Sequence, residues 1–331
     1  MIVTVTPNPS IDRTVTLAAP LTRGAVHRVT SVTSEPGGKG VNVARALSLA
    51  AVDAVALLPA AESDPVVAAL HASAVPFQLV PAGGAVRTNL AITESDGTTT
   101  KLNEPGAHLD EAGRGALMSA VFDAARHAAW VVLSGSLPPG LPDDWYAEVV
   151  AMLATLPCRV AVDTSERPLA ALAAAFGRHA PDLIKPNAEE LAGLVGASGP
   201  ALETAAAQGD PEPVVAAART LIDDGVGTVL VTLGAAGAVL VDSTGSWMAA
   251  PPPITPRSTV GAGDSSLAGY LRAEVGGAEP PQRLQMAVAY GSAAAALPGS
   301  ALPSPDQLDL KAVRVYALTP APTLPHLPTG K

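Results

Sequence analysis

The sequence predicts an α/β protein: a central, mostly parallel sheet flanked by helices, with a small β-sheet lid. Three observations predict it. From about residue 106 helical and strand patterns alternate, the order that builds a parallel sheet covered by helices. Polar residues recur just past the strand-like runs, at Ser134-Gly135-Ser136, Asp163-Thr164, Lys185-Pro186-Asn187 and Thr232-Leu233-Gly234. Open parallel sheets bind ligands at those carboxyl ends. Two early polar hairpins, about residues 10–33 and 85–105, do not fit a helix-covered sheet and are expected to form the lid.

Composition sets the limits. The 331 residues suffice for one large α/β domain or two smaller ones. Hydrophobic residues make up 48% and charged residues 15%, so the core is sizeable; with only 3% aromatics it must be packed from Ala, Val and Leu. The net charge of −10 argues against nucleic acid or an anionic membrane as partner. An anionic ligand must then be held by local cations and backbone amides. Cys158 is the sole cysteine, which precludes an intrachain disulfide, fits a reducing cytosol and reads as a small buried apolar residue. The start lacks a cationic n-region, and Gly, Pro and charges interrupt the apolar runs. A soluble, cytoplasmic protein is expected.

In chain order, residues 2–6 read as a buried strand stopped by Pro7-Asn8-Pro9. Short alternating pieces around 15–17 and 26–32 suggest a small sheet with one wet face. Glu35-Pro36-Gly37-Gly38-Lys39-Gly40 reads as a Gly-rich turn leading into a helix over 41–50, with strands at 54–58 and 77–80. Residues 87–93 and 98–102 flank Ser95-Asp96-Gly97 as a hairpin. Further strands are predicted at 130–133, 160–162, 183–184, 229–233 and 238–241. Helices are predicted at about 110–127, 143–155, 188–195, 213–224, 264–275 and 283–296. Residues 1–318 are expected to form one unit, with its core at 1–9, 34–84 and 106–318. The Pro-rich tail 319–331 is expected to be disordered.

The stretch Ser258-Thr259-Val260-Gly261-Ala262-Gly263-Asp264-Ser265 is a turn of small residues with Asp264 where a helix should begin. Leu267, Leu271 and Val275 mark one face of that helix. Bare glycine backbone before a helix N-terminus makes an anion site. An acid beside it suits phosphoryl transfer to a hydroxyl; an ordinary N-capped helix explains the spacing equally well. Other motifs are excluded: Gly38-Lys39 is followed by Gly40, so there is no Walker A, and no Gly-x-Gly-x-x-Gly follows the first strand. Neither Cys-x-x-Cys, His-Glu-x-x-His nor Gly-x-Ser-x-Gly occurs.

Four motifs occur in order: Thr6-Pro7-Asn8-Pro9-Ser10-Ile11-Asp12, Gly37-Gly38-Lys39-Gly40-Val41-Asn42-Val43-Ala44-Arg45, Ser134-Gly135-Ser136-Leu137-Pro138-Pro139-Gly140 and Val260-Gly261-Ala262-Gly263-Asp264-Ser265. Together they resemble the PfkB (ribokinase-like) sugar kinases over residues 1 to about 315, and within them the phosphosugar branch, most closely its 1-phosphofructokinases. The resemblance implies ATP- and Mg2+-dependent phosphorylation of a ketohexose phosphate, most simply fructose 1-phosphate to fructose 1,6-bisphosphate. Tagatose 6-phosphate or fructose 6-phosphate kinases are the alternatives within the branch. A kinase of an unphosphorylated sugar or nucleoside, and a nucleotide- or sugar-phosphate-binding regulator, stand further off.

By that resemblance Asp264 is the general base, and the N–H groups of Gly261, Ala262 and Gly263 form the anion hole. Asp12 binds sugar hydroxyls, Gly37, Gly38 and Asn42 form the sugar-contacting turn, and Ser136 is a further contact. Arg87, joined by Arg28, is aimed at the sugar phosphate, a geometry bidentate arginine suits. Lys39 either meets the substrate phosphate or is solvated. Lys185, Asn187, Thr232, Gly234 and Gly237 hold the ATP phosphates, and Ser292 lies near adenine. Glu190 orients Mg2+ through water. Lids of this family pair between subunits, so a homodimer through the lid is expected.

Overall fold

The computed structural model describes residues 1–319; the expected disordered tail lies, beyond Thr319, outside the described residues. The chain begins with β1 (Ile2–Val5), β2 (Ser10–Leu17) and β3 (Val29–Gly37), then α1 (Lys39–Leu49), β4 (Ala54–Pro59), α2 (Pro65–Ala72) and β5 (Phe77–Val80). The hairpin β6 (Arg87–Thr93) and β7 (Thr99–Asn103) follows. Next come α3 (Glu111–Ala125), β8 (Trp130–Ser134), α4 (Trp145–Leu153), β9 (Arg159–Asp163), α5 (Glu166–Ala173), β10 (Leu183–Ile184), α6 (Ala188–Val195), α7 (Gly199–Ala207) and α8 (Glu212–Asp223). The last elements are β11 (Thr228–Thr232), β12 (Ala238–Asp242), β13 (Gly245–Ala250), α9 (Ala262–Val275), α10 (Pro280–Ala295) and β14 (Arg314–Thr319).

Ten strands form one sheet in the order β14-β13-β12-β11-β10-β9-β8-β1-β4-β5. It is parallel from β11 to β5 and antiparallel from β12 outward. The remaining four make a separate small sheet, β3-β2-β6-β7. The parallel strands are buried on both faces, as helices on both sides require. Their alternation divides the core. Val3, Val5, Val131 and Leu133 pack under α3, α4, α6 and α8, while Ile2, Trp130 and Val132 pack with Leu47 of α1, Leu267 and Leu271 of α9, and Leu284 of α10. Each fully buried Leu contributes about 1.5–3 kcal/mol of apolar transfer. Among the described residues no helix is long and apolar enough to cross a membrane.

Several expectations are corrected. Glu35-Pro36-Gly37 is not a turn but the end of β3, paired with Asp12, Ile11 and Ser10 of β2; this pairing delivers Gly37 to the site. Helix α9 starts at Ala262 rather than Asp264, because Gly261 takes the left-handed cap position (φ 77°). Val275 is 44% exposed and lies off the buried stripe of α9. Helices α2, α5 and α7 carry little sequence signal: α2 and α5 are eight residues long and α7 nine. Strands β13 and β14 pair with one another and extend the antiparallel edge through β12, a tertiary arrangement that local pattern does not reveal.

Candidate active site

Two helix starts meet at the carboxyl ends of the central strands. Helix α1 begins behind Gly38 (φ 104°) and α9 behind Gly261. A Cβ on Gly38 would lie 2.6 Å from Thr6 Cγ2, so only glycine lets the chain pass so close to β1. Helix α1 then presents Asn42, whose Nδ2 donates to Asp264 Oδ2 at 2.9 Å. Both residues are buried, 4% and 6% exposed. Asp163, at the end of β9, is wholly buried and accepts from Lys39 Nζ at 2.7 Å; Lys185 Nζ stands 3.2 Å from its other oxygen.

These two carboxylates behave differently. Burial pushes the Asp264 carboxyl up to about 6; Lys39, the Asn42 hydrogen bond and Lys185 oppose the rise, and Asp163 adds to it. Burial works against the charge of Asp163 too, yet Lys185 and Lys39 together hold it below the usual carboxylate range. The lysine follows suit: burial opposes the charge of Lys39, but Asp163 and Asp264 outweigh it and raise its pKa. The result is a neutral quartet with one poised member, since a carboxylate titrating near neutrality is an effective base.

The start of α9 supplies bare amides beside this quartet. Among the described residues the N–H groups of Gly261 and Gly263 have no acceptor, while Ala262 N–H makes a long 3.4 Å bond to Thr259 O. A Cβ on Gly263 would come within 3.1 Å of Lys185 Nζ. The Lys185 ammonium thus stands close to the bare backbone of Gly263 at a helix start, a setting suited to an anion.

On the other side of Asp264 lies the small sheet. Asp12 Oδ1 accepts from Ser10 Oγ at 2.7 Å and from Asn89 Nδ2 at 3.0 Å. Its carboxylate packs on the bare backbone of Gly37, where a Cβ would sit 2.3 Å from Asp12 Cγ. A cavity of about 720 Å3 opens from Asp12 between the small sheet and the residues leading into α9. Arg87, opposite Ser10 in β6, donates to Glu104 O at 3.1 Å and leaves its buried Nε without a partner. Burial disfavours its charge, and Asp12 and Glu104 support it. Asn8 Nδ2 reaches Ser136 Oγ at 3.3 Å, which brings Ser136 alongside. Arg28 is not brought in: it lies exposed in the β2–β3 connection, with no ion pair among the described residues.

The residues expected to hold nucleotide lie beyond Lys185. Asn187 and Glu190 close a capping box on α6: Asn187 Oδ1 accepts from Glu190 N at 2.8 Å and Glu190 Oε2 from Asn187 N at 2.9 Å. Thr232, at the end of β11, is joined to this corner by its N–H bond to Pro186 O (3.0 Å). Gly234 (φ 54°) faces open space, whereas Gly237 (φ 101°) is wedged against Ala249 O. Ser292 is buried in α10, and no hydrogen bond joins it to Lys185, Asn187 or Thr232. Among the described residues no three His, Cys, Asp or Glu gather as a metal site. Glu190 has one carboxylate oxygen outside the capping box, which fits a hard cation held mainly by water and phosphate oxygens.

Sequence reasoning missed Asp163, Asn89, Arg45 and Glu35 as site residues. Asp163 stood at a strand exit, and Asn89 lies two residues from Arg87 on the same strand face. The Arg45–Glu35 ion pair (2.9 Å) joins α1 to β3 and had no local signal.

The sequence model of the pfkB family carbohydrate kinases matches residues 5–307. A 1-phosphofructokinase from Rhodobacter capsulatus is 36% identical over 329 residues, covering 97% of this chain and 98% of its own. The ATP-dependent 6-phosphofructokinase isozyme 2 of Escherichia coli K12 is 34% identical over 320 residues, 96% and 98% of the two chains. The crystal structure of phosphofructokinase-2 from Escherichia coli with substrates and products superposes with a TM-score of 0.83 at 33% identity, covering 92% of this chain and 96% of that one.

Proposed function

The chain belongs to the pfkB family of carbohydrate kinases, and we propose that it transfers the γ-phosphoryl group of ATP to a hydroxyl of a ketohexose phosphate, fructose 1-phosphate first among them. The observation that carries the mechanism is Asp264: buried, titrating near neutrality, bonded to Asn42 and set between two lysines at a helix start. The acceptor hydroxyl gives its proton to Asp264 as its oxygen bonds to the γ-phosphorus and the bond to ADP breaks. Lys39 and Lys185, with the free amides of Gly261 and Gly263, face the oxygens that gain charge in the transfer. Asp12 accepts sugar hydroxyls and Arg87 holds the phosphate already on the sugar.

Mg2+, when bound, neutralises charge between the β- and γ-phosphates; Glu190 is the residue that would orient it, through water. Thr232, Gly234 and Gly237 form the loop assigned to the ATP phosphates, with Asn187 beside it. The small sheet acts as the lid, excluding water that would compete as acceptor.

The lid also supports a homodimer. Alternation places Val15, Val32, Leu90, Ile92 and Leu102 on the face of the small sheet turned away from Asp12. Val32 is 43% exposed and Leu102 56%. An apolar sheet face of this kind marks an interface, and a second lid is the occupant proposed. The chain is assigned to the cytoplasm on its single buried cysteine.

The test is a coupled ADP-release assay with magnesium-ATP against fructose 1-phosphate, fructose 6-phosphate, tagatose 6-phosphate and free fructose. The highest kcat/KM is expected for fructose 1-phosphate. Preference for another phosphosugar would move the acceptor and keep the mechanism; activity on free fructose alone would overturn the role of Arg87.

A further inference from the structure

Asn42 stands between two groups of opposite hydrogen-bonding character. Its Nδ2 donates to Asp264 Oδ2 at 2.9 Å, and its Oδ1 accepts from Arg45 Nη1 at 3.4 Å. A guanidinium only donates and an ionised carboxylate only accepts, so one orientation of the amide serves both. Helix α1 supplies Asn42 and Arg45 three residues apart, on one face. Arg45 is itself held: Nη2 lies 2.9 Å from Glu35 Oε1 on β3, and Nη1 is 3.3 Å from Pro36 O. The buried hydroxyl of Ser300, in the segment after α10, donates to the other oxygen of Glu35. The Arg45 side chain is only 11% exposed, and the transfer mechanism above makes no use of it.

Consider a proton arriving on Asp264. On Oδ2 its O–H would face the Asn42 N–H, donor against donor; on Oδ1 it would leave Oδ2 a neutral carbonyl oxygen, a weaker acceptor for that N–H than a carboxylate. The amide could accept a proton on Oδ2 only by turning round, which would then set its NH2 against Arg45. The other charged groups facing Asp264 are Lys39 from α1, Lys185 from beyond β10 and Asp163 from β9; they act directly through charge, the lysines for and Asp163 against ionisation. Arg45 acts through a neighbour's orientation. Resting on Asp264 as the base, we propose that Arg45 is a positioning residue, anchored by Glu35, that locks the Asn42 amide as a donor and keeps Asp264 in its proton-accepting form. Glu35 belongs to the small sheet, so the lock also ties the state of the base to that sheet's position.

The experiment is the pH profile of kcat/KM for the phosphosugar in wild type, Arg45→Met, Arg45→Lys, Glu35→Gln and Asp264→Asn. Arg45→Met is expected to move the acid limb up by about half a pH unit or more, so that its loss at pH 6 is roughly twofold or more deeper than at pH 8.5. Arg45→Lys, still only a donor, should bring the acid limb most of the way back to wild type. Glu35→Gln should give a smaller shift in the same direction, and it decides the matter if Arg45→Met does not fold. The substrate phosphate titrates in the same range, but equally for every variant, so it cancels in the ratio. Parallel profiles, with the same loss at every pH, would reduce Arg45 to a structural residue and overturn the proposal. Asp264→Asn separates the two levels: turnover retained there removes the base itself, whereas a dead Asp264→Asn with parallel Arg45 profiles removes only the lock.

Discussion

Lys39 donates to Asp163 at 2.7 Å while Lys185 closes on the opposite oxygen from 3.2 Å, so one buried carboxylate positions both cations of the proposed transfer site. Removing one partner of a buried ionic group leaves uncompensated charge, at a cost of about 3–5 kcal/mol. Asp163→Asn keeps the shape and strands two ammonium groups beside each other. We expect a loss of roughly 3 kcal/mol or more in denaturant unfolding, together with a raised KM for ATP. An unfolding midpoint within error of wild type would mean the lysines are held by something else.

Asp264→Asn should abolish turnover while ATP binding survives, and it should also stabilise the fold. The sign follows from the pKa. Burial raises the folded-state value from 3.8 to about 6, so between those values the native state binds more protons than the unfolded one. Stability is therefore fully present below about pH 4 and is lost as pH rises through 6. At neutral pH the ionised form costs on the order of 1–3 kcal/mol, which a neutral Asn avoids. Thermal unfolding of the two proteins at pH 8 and pH 4 checks this: the variant is expected to melt higher at pH 8, with the gap narrowing toward pH 4. Unchanged kcat would remove Asp264 as base.

The parallel core and the ends of the chain's motifs were legible from the sequence because they are local. Strands 77–80 and 183–184 carry their own apolar residues and strand 87–93 of the small sheet its polar alternation, and the same bounds appear in the structure. Asp264 carried a local signal of its own, an acid behind Gly261 and Gly263 at a helix start, whereas Asn42, Asp12 and Lys185 could be named only through the resemblance to the PfkB sugar kinases. What could not be read was pairing across the chain. Asp163 shows as a strand-exit acid, but its two lysines lie 124 residues before it and just past the next strand. The Glu35–Ser300 bond spans 265 positions, and no periodicity encodes it. Arg28 shows the complementary case: the β2–β3 connection carries this cation to the exposed surface of the chain.

Arg87→Ala should raise KM for the phosphosugar by at least tenfold and KM for ATP by less than about twofold, since a hydrogen bond to a charged group contributes about 1.5–3 kcal/mol. Its buried Nε has no partner within the described protein, which leaves a donor for a ligand oxygen. Steady-state kinetics with each substrate varied in turn would show it. Equal effects on both KM values would place Arg87 outside the sugar-phosphate subsite.

The lid interface has its own test. Val32→Glu combined with Leu102→Glu puts two charges on the exposed apolar face of the small sheet without touching Asp12 or Asn89. Light scattering after gel filtration should show a dimer for wild type and a monomer for the variant. A monomeric wild type would refute pairing through this face.

Gly37→Ala isolates the contact between Asp12, the acid proposed to bind the sugar, and the strand beside it. Gly37 is not among the residues with positive φ, so alanine adds no backbone strain there; its one effect is steric. The new Cβ would lie 2.3–2.5 Å from the Asp12 carboxylate atoms, far inside contact distance, and must push that carboxylate away from Asn89 and Ser10. The three atoms nearest to it all belong to Asp12. The acceptor KM should therefore rise about tenfold or more, in keeping with one or two charge-assisted hydrogen bonds lost, while ATP binding and the pH dependence stay as in wild type. If Asp12→Asn causes the same rise and adding Gly37→Ala to it causes little more, the two residues act as one unit. Additive losses would mean that Gly37 serves the sugar through its own backbone rather than through Asp12.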